Sequence, residues 1–278
     1  MKLHTLRSTN GAEASTSPQV EHLMLIPDDS YFRRMQAALS IRTRLELDAL
    51  VFSSDVISVC YTRLAQLIVR ERPEDLDNYS RVAAISDAWS VIDQVHVIRQ
   101  IFQKNLAGRM GPMTSAWHAS TEAATLLRNG MDHIAGNLTN LARRSGSPPP
   151  VLGALFIQQT IGGSIPVVKC LTLTAGQCTG GTSFNGPPID SLDLVDRLVI
   201  EVQAFNHRFN LTTAVASLAP LLSAMAERVE NDVNVALDEQ QLSPAHDAAA
   251  RAVIQTHGAI VTTLHFNGDD RVMTAAGG

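Results

Sequence analysis

The chain has 278 residues, of which 45% are hydrophobic and 18% charged, with a formal net charge of −5. That length can bury a sizeable core in one large domain or two small ones. The balance excludes a disordered chain, and also a protein that coats nucleic acid through bulk positive charge.

Residues 1–29 begin as a loose Ser/Thr/Gly tail and end in the apolar run 20–26, which could add a short strand. Asp28, Asp29 and Ser30 form an N-cap cluster, so a helical region is expected from there to about residue 71, in one or two pieces. Its apolar stripe is Leu50, Ile57, Tyr61, Leu64 and Ile68. The charged, Pro-containing run 70–75 reads as a solvated turn. A second helix is expected over 80–104, with Val82, Ile85, Trp89, Ile92, Val95 and Phe102 inward.

Gly111-Pro112 breaks the chain again, and a third helix is expected over 114–144. Its stripe is Ala116, Ala119, Ala123, Leu127, Gly130, Ile134, Leu138 and Leu141. Three long helices with short breaks imply an antiparallel bundle. After Pro148-Pro149-Pro150 the texture changes to β-branched runs, with strands expected at 151–158, 167–173, 198–205 and 260–266. Residues 176–188 form a Gly/Thr-rich loop between the second and third of these. Residues 211–239 carry a helical stripe of Leu218, Leu222, Met225, Val229, Val233 and Leu237. Pro220 must kink this helix or sit in its first turn. The fold class is therefore mainly α: an antiparallel helical bundle with an inserted and C-terminal antiparallel β portion (α+β). Three regions are expected: a tail (1–29), a bundle (30–145), and a β-rich portion (146–278) whose helix 211–239 completes the bundle.

Within the third helix, Arg128-Asn129-Gly130-Met131-Asp132-His133 sets an arginine five residues before a histidine. Histidine moves protons near neutral pH, and arginine holds a phosphate oxygen at any physiological pH. The bare spacing is unspecific, because composition alone yields about 0.6 such pairs. On an ideal helix a five-residue step turns about 140° net and rises about 7.5 Å. The two residues then straddle a face, expected to be centred near Gly130 and Met131 and to be open. The plainer alternative pairs Arg128 with Asp132 at i,i+4 and leaves His133 as a partly exposed helix residue.

The helical half resembles the HEPN family, whose bundles carry R-x4-6-H on a later helix, usually with Asn, His or Asp directly after the Arg. Leu127-Arg128-Asn129-Gly130-Met131-Asp132-His133-Ile134 matches this pattern, and the resemblance covers roughly residues 40–145, with 211–239 as a fourth helix. It implies a metal-independent, dimeric endoribonuclease of toxin or antiviral type, needing no cofactor. Arg128 and His133 would be catalytic, and Asn129 would orient them or contact RNA. The implied partners are RNA, a second copy, and an antitoxin or regulatory protein. Members paired with a nucleotidyltransferase antitoxin often carry Tyr two places after the His. Here Ala135 stands there, so control by modifying that tyrosine is unsupported. The alternative is a catalytically inactive helical protein-interaction module; a third reading gives the β-rich part a small ligand and the bundle a dimerising role.

Other patterns carry less. Trp89, Asp93, His96 and Arg99 run along the second helix at three- and four-residue steps. They could surround the site, but a core Trp beside a solvated charged edge is the commoner arrangement. His118 lies too far along the third helix to join the Arg–His pair. No H-E-x-x-H or Cys/His zinc spacing occurs, so no metal site is expected. The loop 176–182 lacks a P-loop lysine. Ser243-Pro244-Ala245-His246-Asp247 reads as a helix start. Cys60, Cys170 and Cys178 include no C-x-x-C, which suits a reducing cytosol. The polar first 18 residues lack a signal-peptide core, and the longest apolar run is too interrupted to span a membrane. A soluble, cytoplasmic protein with no membrane partner is expected.

Overall fold

The computed structural model describes residues 23–34, 37–70, 76–106, 111–143, 149–161, 167–178, 198–239, 244–251, 264–265 and 274–275. A 3₁₀ turn, Tyr31–Arg33, precedes helices α1 (Ile41–Arg70) and α2 (Asn78–Ile101), and α2 runs into a π-helical turn, Phe102–Leu106. Then come α3 (Pro112–Ser120), α4 (Glu122–Asp132), α5 (Ile134–Ala142), strands β1 (Ala154–Ile161), β2 (Val167–Thr174), β3 (Leu198–Ala204) and β4 (His207–Asn210), helices α6 (Leu211–Glu239) and α7 (Pro244–Arg251), and the two-residue strands β5 (Leu264–His265) and β6 (Thr274–Ala275). The fold is mainly α with an antiparallel sheet, as the sequence predicts.

The start of the first helix differs from expectation. Ser30 caps only the 3₁₀ turn, through the Phe32 N–H. Helix α1 begins ten residues later, where Ser40 Oγ accepts the Thr43 N–H at 3.1 Å. Residues 23–26 form no strand; the remainder of the expected strand lies outside the described residues. Instead, the Leu23 and Leu25 amides donate to Thr62 Oγ1 and Ser58 Oγ, both at 3.2 Å. Two hydroxyls one turn apart on α1 thus supply acceptors that a sheet would otherwise provide.

Helix α2 starts at Asp77, whose carboxylate accepts the Ser80 N–H at 2.7 Å. It packs antiparallel on α1 across a seam of Leu50, Ile57 and Leu64 against Val91, Ile92, Val95 and Ile98, all at most 1% exposed. Arg63 on α1 binds the carboxylate of buried Asp87 on α2.

The expected third helix is three segments. Thr121 (φ −108°, ψ 9°) separates α3 from α4, and His133 (φ −103°, ψ 27°) separates α4 from α5. The buried stripe is Thr114, Trp117, Thr121, Ala124 and Leu127, whereas Ala116 and Ala119 are exposed. The aromatic anchor Trp117 sets this phase: its ring meets Phe102 edge-on, and its indole N–H donates to Ala214 O.

The sheet runs β2-β1-β3-β4, antiparallel throughout. β1 starts three residues later than expected because Gly153, at φ 85°, turns the chain into it. β4 was not anticipated; a two-residue turn, Phe205-Asn206, with both φ angles positive (50° and 68°), reverses the chain into it. That pair of left-handed residues matches a type I′ hairpin connection. Leu155 and Ile157 pair across with Leu173 and Leu171 on one side and with Val202 and Ile200 on the other. All six lie in the same buried cluster as the helices, so one face of the sheet caps the bundle.

Helix α6 occupies residues 211–239 as expected and runs through Pro220. It packs between β3, α3 and the 3₁₀ turn through Leu211, Leu218 and Leu222. Helix α7 begins at Pro244, as the Ser-Pro-Ala-His-Asp run implies. Of the strand expected at 260–266, Leu264 and His265 pair with Ala275 and Thr274; the rest, like most of the Gly/Thr-rich loop, falls outside the described residues. No helix among the described residues is long and apolar enough to cross a membrane.

Candidate functional site

Helix α4 presents two unlike faces. Ala124, Leu127 and Met131 face the core, and Gly130 sits against the Phe205 ring. The arc around Gly130 and Met131, expected to be open, is therefore the packed one. The reason is angular: of the two arcs between Arg128 and His133, the shorter, about 140°, runs over Asn129 and Asp132. Asn129, Asp132 and His133 are exposed, and the Arg128 side chain is 34% exposed. Arg128 and His133 thus border a solvent-facing strip, with Asn129 between them.

Arg128 is held by two carboxylates. Asp93, from α2, approaches Nε at 3.0 Å. Asp132, one turn on along α4, accepts from Nη1. The i,i+4 pairing considered from sequence is present, joined by a cross-helix pairing that the spacing did not reveal. No hydrogen bond links Arg128 to His133 within the chain, and the His133 imidazole has no hydrogen-bond or ion-pair partner among the described residues. Its backbone is well fixed, the N–H donating to Asn129 O at 3.1 Å and the carbonyl accepting from Asn137 N at 3.0 Å. Asn137 Nδ2 also reaches back to Gly130 O at 2.8 Å, bracing the bend between α4 and α5.

Of the run Trp89, Asp93, His96 and Arg99, Trp89 and Arg99 are buried and Asp93 and His96 half-buried, and the last three meet α4 or its N-cap. Trp89 lies 6.3 Å from the Phe205 ring centroid and donates to Leu152 O at 3.1 Å. His96 Nδ1 lies 3.2 Å from Thr125 Oγ1, and its Nε2 lies 2.8 Å from the Gln100 amide nitrogen. With Gln100 donating, the ring is neutral and carries its proton on Nδ1. Burial, followed by Arg128 and Arg99, pushes the His96 imidazolium below its ordinary range, against the pull of Asp93 and Asp132. Burial raises the Asp93 carboxyl; Asp132 adds to this, while Arg128 and His96 oppose it.

Arg99, 7% exposed, serves the break between α3 and α4. Its Nη1 donates to Thr121 Oγ1 at 2.7 Å and to the His118 carbonyl, and its Nε to Thr125 Oγ1 at 3.3 Å. Burial, then Glu122 in opposition, leaves this guanidinium with a lowered pKa. His118 stays apart from Arg128; its ring lies edge-on to Phe102 and Trp117.

The contacts that sequence reasoning missed are Asp93 to Arg128 and the Gln100–His96–Thr125 chain. The available signal was complementary spacing: Asp93, His96 and Gln100 on α2 fall at i, i+3 and i+7, as do Thr125, Arg128 and Asp132 on α4. Among the described residues, no three His, Cys, Asp or Glu side chains are grouped to hold a metal ion.

Comparisons with protein-family models, curated proteins and solved structures find no match for this chain.

Proposed function

We propose that the chain is a metal-independent endoribonuclease of HEPN type, acting in the cytoplasm as a homodimer within a toxin or defence system. One observation carries the reading: Arg128 and His133 border a solvent-facing strip of α4, with Asn129 between them and the His133 imidazole uncommitted. His133 takes the proton of a ribose 2′-hydroxyl, whose oxygen attacks the adjacent phosphorus. Arg128 stabilises the charge gathering on the phosphoryl oxygens, and Asn129 contacts the substrate backbone. The bond to the 5′-oxygen breaks, and that oxygen accepts the proton held by the imidazolium. The products are a 2′,3′-cyclic phosphate and a 5′-hydroxyl. RNA is the substrate, and a regulatory or antitoxin protein restrains the activity.

A second reading is a catalytically inactive helical module that binds other proteins. The balance of charge favours it: two carboxylates already neutralise the Arg128 guanidinium.

RNA cleavage in EDTA separates the two. Wild type is expected to yield cyclic-phosphate ends, and both Arg128→Ala and His133→Ala to abolish them. No cleavage by wild type, with structured and unstructured RNA alike, leaves the second reading.

A further inference from the structure

The reading of Arg128 as the phosphate-binding group leaves open what sets its direction, and this inference rests on that reading. A guanidinium carries its donors on one rigid plane, so a carboxylate hydrogen-bonded to one nitrogen and a second charge beside another limit where the remaining nitrogen can lie. Asp132 holds Nη1 from the same helix and moves with it. Asp93 lies on α2, whose neighbouring residues Ile92 and Val95 are fully buried. The Asp93–Nε ion pair at 3.0 Å therefore ties Arg128 to the body of the protein. Nη2 makes no hydrogen bond among the described residues. The adjoining link from His96 to Thr125 fixes α2 against α4 one turn away, which keeps the pairing in register.

We propose that Asp93 is a positioning residue, drawing the Arg128 guanidinium towards α2 by its charge beside Nε so that Nη2 stays available to a phosphoryl oxygen of RNA. Asp93 touches no substrate and transfers no proton; it supplies orientation through Arg128. Near-attack geometry is steep in position, and a misplacement of about 1 Å can cost about 100-fold in rate.

The test is steady-state cleavage in EDTA by wild type, Asp93→Asn and Asp93→Glu, with thermal melts to confirm folding. Asp93→Asn keeps the side-chain shape and removes the charge. It is expected to lower kcat by about 10- to 100-fold, with KM falling several-fold, because a negative charge near the bound phosphates has gone while the orientation is lost. Asp93→Glu, which restores the charge, is expected to recover part of kcat. A kcat that falls only in proportion to the folded fraction read from the melts, and that Asp93→Glu does not recover, overturns the proposal. A raised kcat shows Asp93 to be a block on Arg128, which overturns it equally. No cleavage by wild type overturns the ribonuclease reading itself and this inference with it; the other outcomes touch this inference alone.

Discussion

The ring of Phe205 stands where a side chain at Gly130 would begin: a Cβ there would lie 2.3 Å from Cδ2 and 2.6 Å from Cγ. Two principles give opposite signs for Gly130→Ala. Helix propensity alone favours Ala by about 1 kcal/mol. Overpacking against a ring already hemmed in by Trp89 costs about 1–3 kcal/mol. We expect net destabilisation in urea unfolding, and relief of it when Phe205→Ala is added, so the double-mutant coupling should be large. A stabilised Gly130→Ala protein would show that the ring moves freely.

Arg99 gives a second test. Thr121→Val keeps the shape of a residue at 0% exposure but removes the hydroxyl that accepts from the buried guanidinium. Loss of a hydrogen bond to a buried charge costs about 1.5–3 kcal/mol. Chemical denaturation should show a fall in that range. Thr125→Ser retains its acceptor and should stay close to wild type.

The pH dependence of stability follows from His96. Its folded pKa lies below the ordinary 6.5, so the unfolded chain binds more protons as pH falls. This contribution is complete above 6.5 and is lost as pH drops from there through the folded value. His118, lowered by burial and by Arg99, acts in the same sense. Asp93 and Glu201, both raised chiefly by burial, act in the opposite sense at more acid pH. Unfolding free energies between pH 7.5 and 5.5 should therefore fall for wild type and fall less steeply for His96→Gln. Equal slopes would remove His96 as a source.

The segment before α1 makes a fourth case. Ser58→Ala with Thr62→Val deletes both acceptors for the Leu25 and Leu23 amides. Hydrogen exchange at those two amides should speed up markedly, while exchange within the α1–α2 seam is unchanged. Protection that survives would mean that the apolar contacts of Leu25 and Ile26 hold the segment unaided.

The helices were legible where an apolar stripe met clear punctuation. Helix α6 came out at its full length because its stripe persists past Pro220; α2 was legible from Ile85, Trp89, Ile92, Val95 and Phe102, all buried, although Val82 is exposed and the start at Asn78, capped by Asp77, was not read. The bundle-capping sheet could be foreseen as strands but not as a layer, since pairing is a tertiary property. Strand β4 was missed because its turn uses Phe205 where Gly or Asn is the usual signal. The phase of α3 and α4 was misjudged by giving Ala116 and Ala119 the weight that Trp117 carries. At the site, the Arg128-Asn129…His133 motif was readable as letters, and the Asp132 pairing was a weighed alternative. Asp93 reaches Arg128 from another helix, 35 residues earlier in the chain, and the matched i, i+3, i+7 spacing on the two helices signals it only once their packing is known.

Helix α5 contains no buried residue, and at nine residues it is shorter than a helix that holds itself in water. Its attachment is the braced bend at His133, with Asn137 reaching back to Gly130. Melting α5 would uncover only half-buried apolar side chains, Ile134 and Leu141, so its opening belongs at the cheap end of the molecule's excursions. The same bend carries the His133 imidazole, and each such excursion would unseat that ring while the rest of the architecture stands.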